Sequence, residues 1–296
     1  PLASTPNPLL ADAACALRDG DPAFTRRGGG TILATFSPKA FLPLTRLCRD
    51  DCGYCTFVRS APDPGRSSFM SLDAAVSLAA AAADAGCTEV LLTCGDAPET
   101  VHPVAADELA GLGHASTAAY AAAVAAAVTR ATGLLVHSNV GLVSPAQAAL
   151  LRQVTVSQGL MLETFAVAAA AGPGSPHDPA SCPDKAPPAR LASLAALAAA
   201  RVPTTSGLLL GLGESRAETL AALLALRRLN QASAFPGGGK GRGFLQELII
   251  QPFTPKAGTR MGGVRPPAVG DLLWAVSAAR LVMGPGVAIQ APPNLA

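Results

Sequence analysis

Short apolar runs and longer alanine-rich amphipathic stretches alternate along this chain. Runs at 41–47, 89–93, 134–138, 155–163, 204–210 and 245–252 have the length and bounding residues of buried strands. Between them the polar and apolar positions recur at helical spacing. Ser71 caps a helix with Asp73 in its first turn and Gly86 after its end. Further helices are predicted near 115–130, from Ser144-Pro145 to about 153, over 188–201, after the capping box at 215–218, and over 267–282 with Gly284 behind it. A seventh strand begins at 287–290, where the chain stops. Repeated strand–helix units predict a parallel sheet with right-handed crossovers. Six of them predict an α/β fold of the partial (β/α)6 TIM-type barrel, open on one side, with chemistry at the C-terminal strand ends.

Residues 1–30 read as an irregular, loosely attached lead-in with a short helix near 9–17, and 31–296 as the barrel domain, with an additional strand at 31–36. The Ala/Gly/Pro-rich segment 167–187 is long enough to expect a functional cover, and 236–243 reads as a flexible glycine-rich insertion.

The chain has 296 residues, 50% hydrophobic and 14% charged, enough for a sizeable core. A net charge of +2 without a basic stripe gives no sign of nucleic-acid binding. Mean hydropathy of +0.36 comes largely from alanine. The most apolar candidate span, 115–128, is short and ends at Thr129-Arg130, so it reads as an alanine-rich helix and not a membrane span.

Seven cysteines in a chain this long are no disulfide scaffold. Three of them, Cys48, Cys52 and Cys55, fall in a C-x3-C-x2-C spacing within one short polar loop, whereas Cys15, Cys87, Cys94 and Cys182 are scattered. Two bland readings stand beside a metal cluster. Buried helix-face cysteines are disfavoured by Arg49, Asp50, Asp51 and Gly53 between them. A zinc site wants a fourth ligand at short spacing, and no Cys or His follows Cys55 until Cys87. Three soft thiolates at this spacing suit three corners of an iron–sulfur cube and leave the fourth iron open to an outside ligand. Exposed thiolates of this kind need a reducing setting, so an intracellular, cytoplasmic compartment is expected. The chain starts at Pro1 without Met, so its natural N-terminus is expected further upstream, and an organelle-targeting segment there stays open.

The cysteine spacing, with Tyr54 just before the last cysteine, resembles the radical S-adenosylmethionine (SAM) enzymes. The wider string PLTRLCRDDCGYCTF at 43–57, with TCGDAPE at 93–99, GLMLET at 159–164 and GLLLGLGES at 207–215, resembles the family of FO synthase subunit 1. The resemblance runs from about residue 31 to the end and implies a barrel of the radical SAM kind. It implies a 4Fe-4S cluster on Cys48, Cys52 and Cys55, with SAM chelated at the open iron. One electron, from a reductant such as flavodoxin or ferredoxin, then cleaves SAM to methionine and a 5′-deoxyadenosyl radical. The radical abstracts hydrogen from a tyrosine-derived hydroxybenzyl–ribitylaminouracil adduct made by FO synthase subunit 2, separate or fused. Cyclisation with loss of ammonia gives FO, the core of coenzyme F(420). The resemblance also implies a C-terminus that continues beyond residue 296.

By the same resemblance Tyr54 lies near the adenine, Gly95 and Asp96 receive the amino end of SAM's methionine, and Gly207, Gly211 and Glu214 contact the adenosyl group. Tyr54 also reads as an ordinary surface aromatic, and Asp96 equally as a strand-end turn residue. Glu163, at the expected end of strand four, suits the ribose hydroxyls, with a structural salt bridge as the alternative. His137 and Asn139 end strand three and are candidates to face the substrate, although a single His without an identified partner is as often structural. Asp184 and Lys185 belong to a CPDK-like element of the family, and Lys185 is a further catalytic candidate. Two rival functions are the partner transferase, subunit 2, and a non-catalytic Fe–S electron-transfer protein.

Overall fold

The computed structural model describes residues 2–20, 36–58, 67–233 and 243–290. All but the last residue of the expected strand at 31–36, and most of the glycine-rich insertion, lie outside the described residues. The chain divides into two compact units, one of residues 37–160 and 172–204, the other of 1–36, 161–171 and 205–296.

The first unit contains β1 (Lys39–Thr45), α2 (Leu72–Asp84), β2 (Glu89–Cys94), α3 (Pro103–Gly111), α4 (Thr117–Thr132), β3 (Leu135–Asn139), α5 (Pro145–Leu151), β4 (Ser157–Gly159) and α6 (Pro187–Ala199). Its strands pair in parallel and in chain order. Leu42 of β1 lies beside Leu92 of β2, both buried, and Val90 beside Val136 of β3. The register slips between Pro43 and Thr45, consistent with a proline that has no N–H to give to the ladder.

Helix ends follow the sequence signals. Ser71, Ser116 and Ser144 each accept a backbone N–H in the first turn of α2, α4 and α5, and Ser144 with Gln147 closes a capping box. The buried face of α2 is Ala75, Ala79 and Ala82, and α4 presents Ala118, Ala121, Ala122 and Ala125. Such short side chains let α2 and α4 pack closely, so the alanine-rich composition becomes helix packing.

The second unit contains α1 (Asn7–Asp19), β5 (Thr204–Leu210), α7 (Arg216–Ala232), β6 (Leu245–Pro252), α8 (Val269–Met283) and β7 (Ala288–Gln290), with β5 starting at the boundary. β6 and β7 pair in parallel, and Phe253 N–H donates to Leu210 O at 2.8 Å. Ser215 and Glu218 form the expected capping box of α7.

Three expectations change. The lead-in is not loose, because α1 buries Leu10 and packs on α8, with Asn7 Nδ2 donating to Gly270 O and Trp274 Nε1 to Leu2 O. β4 is only three residues long, not 155–163. Polar Thr155 and Gln158 are buried there and bonded to each other, and the chain then leaves the strand before Glu163. α3 has no counterpart in the predicted elements.

Candidate functional site

The cysteine loop follows β1 and has no regular structure of its own, so other segments must hold it. Arg49 N–H donates to Asp96 O at 2.9 Å, Asp51 N–H to Ser181 O at 2.8 Å and Gly53 N–H to Pro176 O at 3.0 Å. The Arg49 guanidinium bridges two buried carboxylates, Asp184 through Nε and Asp96 through Nη2 at 3.4 Å. Asp184 N–H in turn donates to Asp50 Oδ1 at 3.4 Å, and Arg190 Nε to Asp184 O at 3.0 Å. At the far end of the loop Arg46 donates to the carbonyls of Phe57 and Thr56 and stacks on the Phe57 ring. The segment expected to be a cover therefore clamps the cysteine loop, through its part beyond residue 172.

Cys48, Cys52 and Cys55 are all half-buried. The Cys48 sulfur accepts the N–H groups of Asp96 at 3.1 Å and Asp50 at 3.4 Å. Burial nevertheless pushes the Cys48 thiol up to about 11, so a metal held there would have to displace its proton. The Cys52 thiol is raised by its contact with the Cys182 side chain and by burial. Soft thiols with backbone N–H groups aimed at sulfur fit an iron–sulfur cluster. Cys94, also half-buried, is pushed up to about 12 by desolvation.

The residues singled out around this loop are mostly held by neighbours. Tyr54 Oη is 2.8 Å from Nε2 of buried His177, and the rings meet edge-on at 5.5 Å. A Cβ on Gly95 would collide with Leu47 O and stand 2.7 Å from Cys48 Cβ, so this glycine serves close chain packing under the loop. Asp96 accepts Leu142 N–H at 2.9 Å, and burial with the Asp184 charge pushes it up to about 7.

His137 is buried, with Nδ1 2.6 Å from Ser157 Oγ and Nε2 3.1 Å from Asn139 Oδ1. Burial lowers it to about 4, so it is neutral near pH 7 and both nitrogens are engaged. Ser157 and Asn139 are thus the partners of His137. Lys185 is half-buried, and its charge reaches Cys52 and Asp50.

In the other unit, Glu163 is buried and has φ of 69°. Its N–H donates to Gly207 O at 3.1 Å and its carbonyl accepts Leu209 N–H at 2.8 Å, so it bridges to β5 after the chain has left β4. The Glu214 carboxylate accepts Gly211 and Leu212 N–H at 2.7 and 2.8 Å, which turns it inward on its own loop. Gly211 has φ of 98°, as this turn requires, and a Cβ on Gly207 would collide with Ile249 O. Sequence reasoning missed Arg49, His177 and Arg190 and left Cys182 among the scattered cysteines; the CPDK-like string was the one available signal.

No protein-family model matches the sequence. Among solved structures, methylornithine synthase is similar at a TM-score of 0.66 and 16% identity, covering 96% of this chain and 70% of that one. The hydrogenase maturase HydG from Carboxydothermus hydrogenoformans is similar at 0.66 and 18%, covering 98% and 60%. These neighbours are radical SAM enzymes, and the fold is the partial α/β barrel of that class.

FO synthase of Streptomyces avermitilis is 40% identical over 97% of this chain and 32% of its own length, so the chain spans about a third of that relative. The 7,8-didemethyl-8-hydroxy-5-deazariboflavin synthase of Methanosarcina mazei is 35% identical over 88% of this chain and 72% of its own length. The chain belongs to this FO synthase family. Among the described residues, no helix is long and apolar enough to cross a membrane.

Two outcomes follow from the geometry. Because the unfolded chain takes up a proton on His137 that the folded chain refuses, the His137 contribution to stability should fall as pH drops from 6.5 to about 4 and level off below. The loss is up to about 3 kcal/mol, read from urea unfolding across this window as a pH-dependent difference between wild type and His137→Gln. Gly95→Ala should displace the start of the cysteine loop and cost about 1–3 kcal/mol, read as a lower melting temperature with reduced iron uptake, whereas Gly111→Ala, with open space around it, should leave iron uptake unchanged.

Proposed function

We propose that the chain catalyses the radical SAM step of FO formation in coenzyme F(420) biosynthesis. The substrate is 5-(4-hydroxybenzyl)-6-ribitylimino-dihydrouracil, and hydrogen abstraction, cyclisation and ammonia loss make the enzyme a carbon–nitrogen lyase. The observation that carries this reading is the 35% identity extending over 72% of the Methanosarcina mazei synthase.

On this reading Cys48, Cys52 and Cys55 hold a 4Fe-4S cluster. When bound, the cluster and SAM supply a carbon-centred radical that removes one hydrogen atom from the substrate. The chain's own residues bind and orient. Arg49 fixes the loop through its two carboxylates, and Tyr54, anchored by His177, is the candidate to lie near the adenine. Glu163 is the candidate for the ribose hydroxyls. Gly95, Asp96, Gly207, Gly211 and Glu214 shape the backbone that SAM meets. Lys185 is the candidate to protonate the departing nitrogen, a role that suits an ammonium near neutral pH. The partners are a one-electron reductant such as flavodoxin or ferredoxin and FO synthase subunit 2.

The test supplies adduct, SAM and dithionite to the anaerobic, reconstituted protein and follows FO fluorescence with 5′-deoxyadenosine. Both should rise together, and Ala at Cys48, Cys52 or Cys55 should abolish both along with bound iron. Deoxyadenosine without FO would overturn the substrate, and adduct formed from tyrosine and ribitylaminouracil would identify the transferase instead. Separately, Glu163→Ala should weaken SAM binding about tenfold or more, since a hydrogen bond to a charged group contributes about 1.5–3 kcal/mol, while iron content stays intact; unchanged SAM affinity would remove Glu163 from the site.

A further inference from the structure

We propose that Glu99, the last residue of TCGDAPE, is a positioning residue for Cys48: its carboxylate docks the loop 95–102 on the N-terminus of α4, and that loop grips Cys48 at its sulfur and at its carbonyl. This deepens the reading above and rests on its assignment of Cys48 as a cluster ligand. Glu99 is half-buried, and both its oxygens are engaged on one residue of α4. Oε1 accepts Thr117 N–H at 3.0 Å, and Oε2 accepts the Thr117 hydroxyl at 2.7 Å. Ser116 caps the same helix end through Ala119 N–H. The Glu99 carboxylate thus takes a further donor that the helix itself leaves unpaired, at the end where a negative group is favoured.

The loop needs such an anchor. Ala97 has φ of 32° and stands before Pro98, a place that favours extended backbone. A residue with a Cβ keeps a left-handed conformation only where its surroundings over-determine it. Here Ala97 O accepts Thr100 N–H at 3.1 Å and the Thr100 hydroxyl at 2.8 Å, and Pro98 O accepts His102 N–H at 2.8 Å. Two groups of the loop then meet Cys48. Asp96 N–H donates to its sulfur at 3.1 Å, and His102 Nε2 lies 3.1 Å from its carbonyl oxygen. A carbonyl only accepts, so the ring nitrogen is the donor. Glu99 sits between these two groups, on the 3-10 turn Pro98–Thr100, and acts on Cys48 through the loop.

The test follows iron release to a ferrous chelator after anaerobic reconstitution, together with melting temperature, in wild type, Glu99→Ala, Glu99→Gln and Ser71→Ala. Glu99→Ala should fill with iron when iron is in excess and then lose it about tenfold faster, the low end for outer partners of a metal site. Glu99→Gln keeps an oxygen for Thr117 N–H and an amide N–H for its hydroxyl, and should return release towards wild type. Ser71→Ala removes the cap of α2 and should lower the melting temperature while leaving release unchanged. Wild-type release in Glu99→Ala, a Glu99→Gln as fast as Glu99→Ala, or equal acceleration in Ser71→Ala would each overturn the proposal. If Glu99→Ala fails to fold, Thr117→Val, which removes the bond to Oε2 alone, decides: release faster than in Ser71→Ala supports the anchor, and release no faster overturns it. Full iron retention in Cys48→Ala would overturn the ligand assignment and this proposal together, whereas failure at Glu99 alone leaves that assignment standing.

Discussion

The Arg49 guanidinium, held between Asp96 and Asp184, is the tie on which the cysteine loop depends. None of the three clustered cysteines lies in a helix or strand, so no backbone ladder fixes their positions. Arg49 joins the loop to the end of β2 on one side and to the turn before α6 on the other. Both carboxylates are buried, and removing one partner from such a group leaves a charge without compensation, which costs far more than an exposed pair. The tie therefore acts mainly as a constraint on geometry.

Glycines at the strand ends do the complementary work. Gly95, Gly141 and Gly159 each lie where a Cβ would collide with a neighbouring segment: Leu47 O, the Asp96 carboxylate and the Asn139 amide respectively. Their missing side chains bring β2, β3 and β4 close enough for Asp96 to reach Leu142 N–H and for His137 to reach Ser157. At these positions the chain approaches itself closely.

How much was legible follows from the range of each interaction. β5 and β6 fall on the predicted residues because apolar runs bounded by turn residues report strands locally. The capping boxes at Ser144 and Ser215 are equally local. β4 misled because its apolar neighbours, Leu160 and Leu162, extend past the point where the chain turns out at Glu163. Apart from the CPDK-like string, the clamp had no local signal: Arg49 meets Asp184 across 135 residues, and Tyr54 meets His177 across 123. The spacing of the cysteines announced that the loop mattered, not what would hold it.

The charges around the loop bear on the protonation of Cys48. Asp50, Asp96 and Asp184 face Arg49, Lys185 and Arg190, so the carboxylates are answered by cations. In such surroundings desolvation, more than a net negative field, keeps Cys48 protonated. Backbone N–H groups from Asp50 and Asp96 already point at its sulfur, and they favour the thiolate once the proton leaves. A soft cation can supply the charge that the protein withholds. Proton release and metal uptake would thereby be the same event.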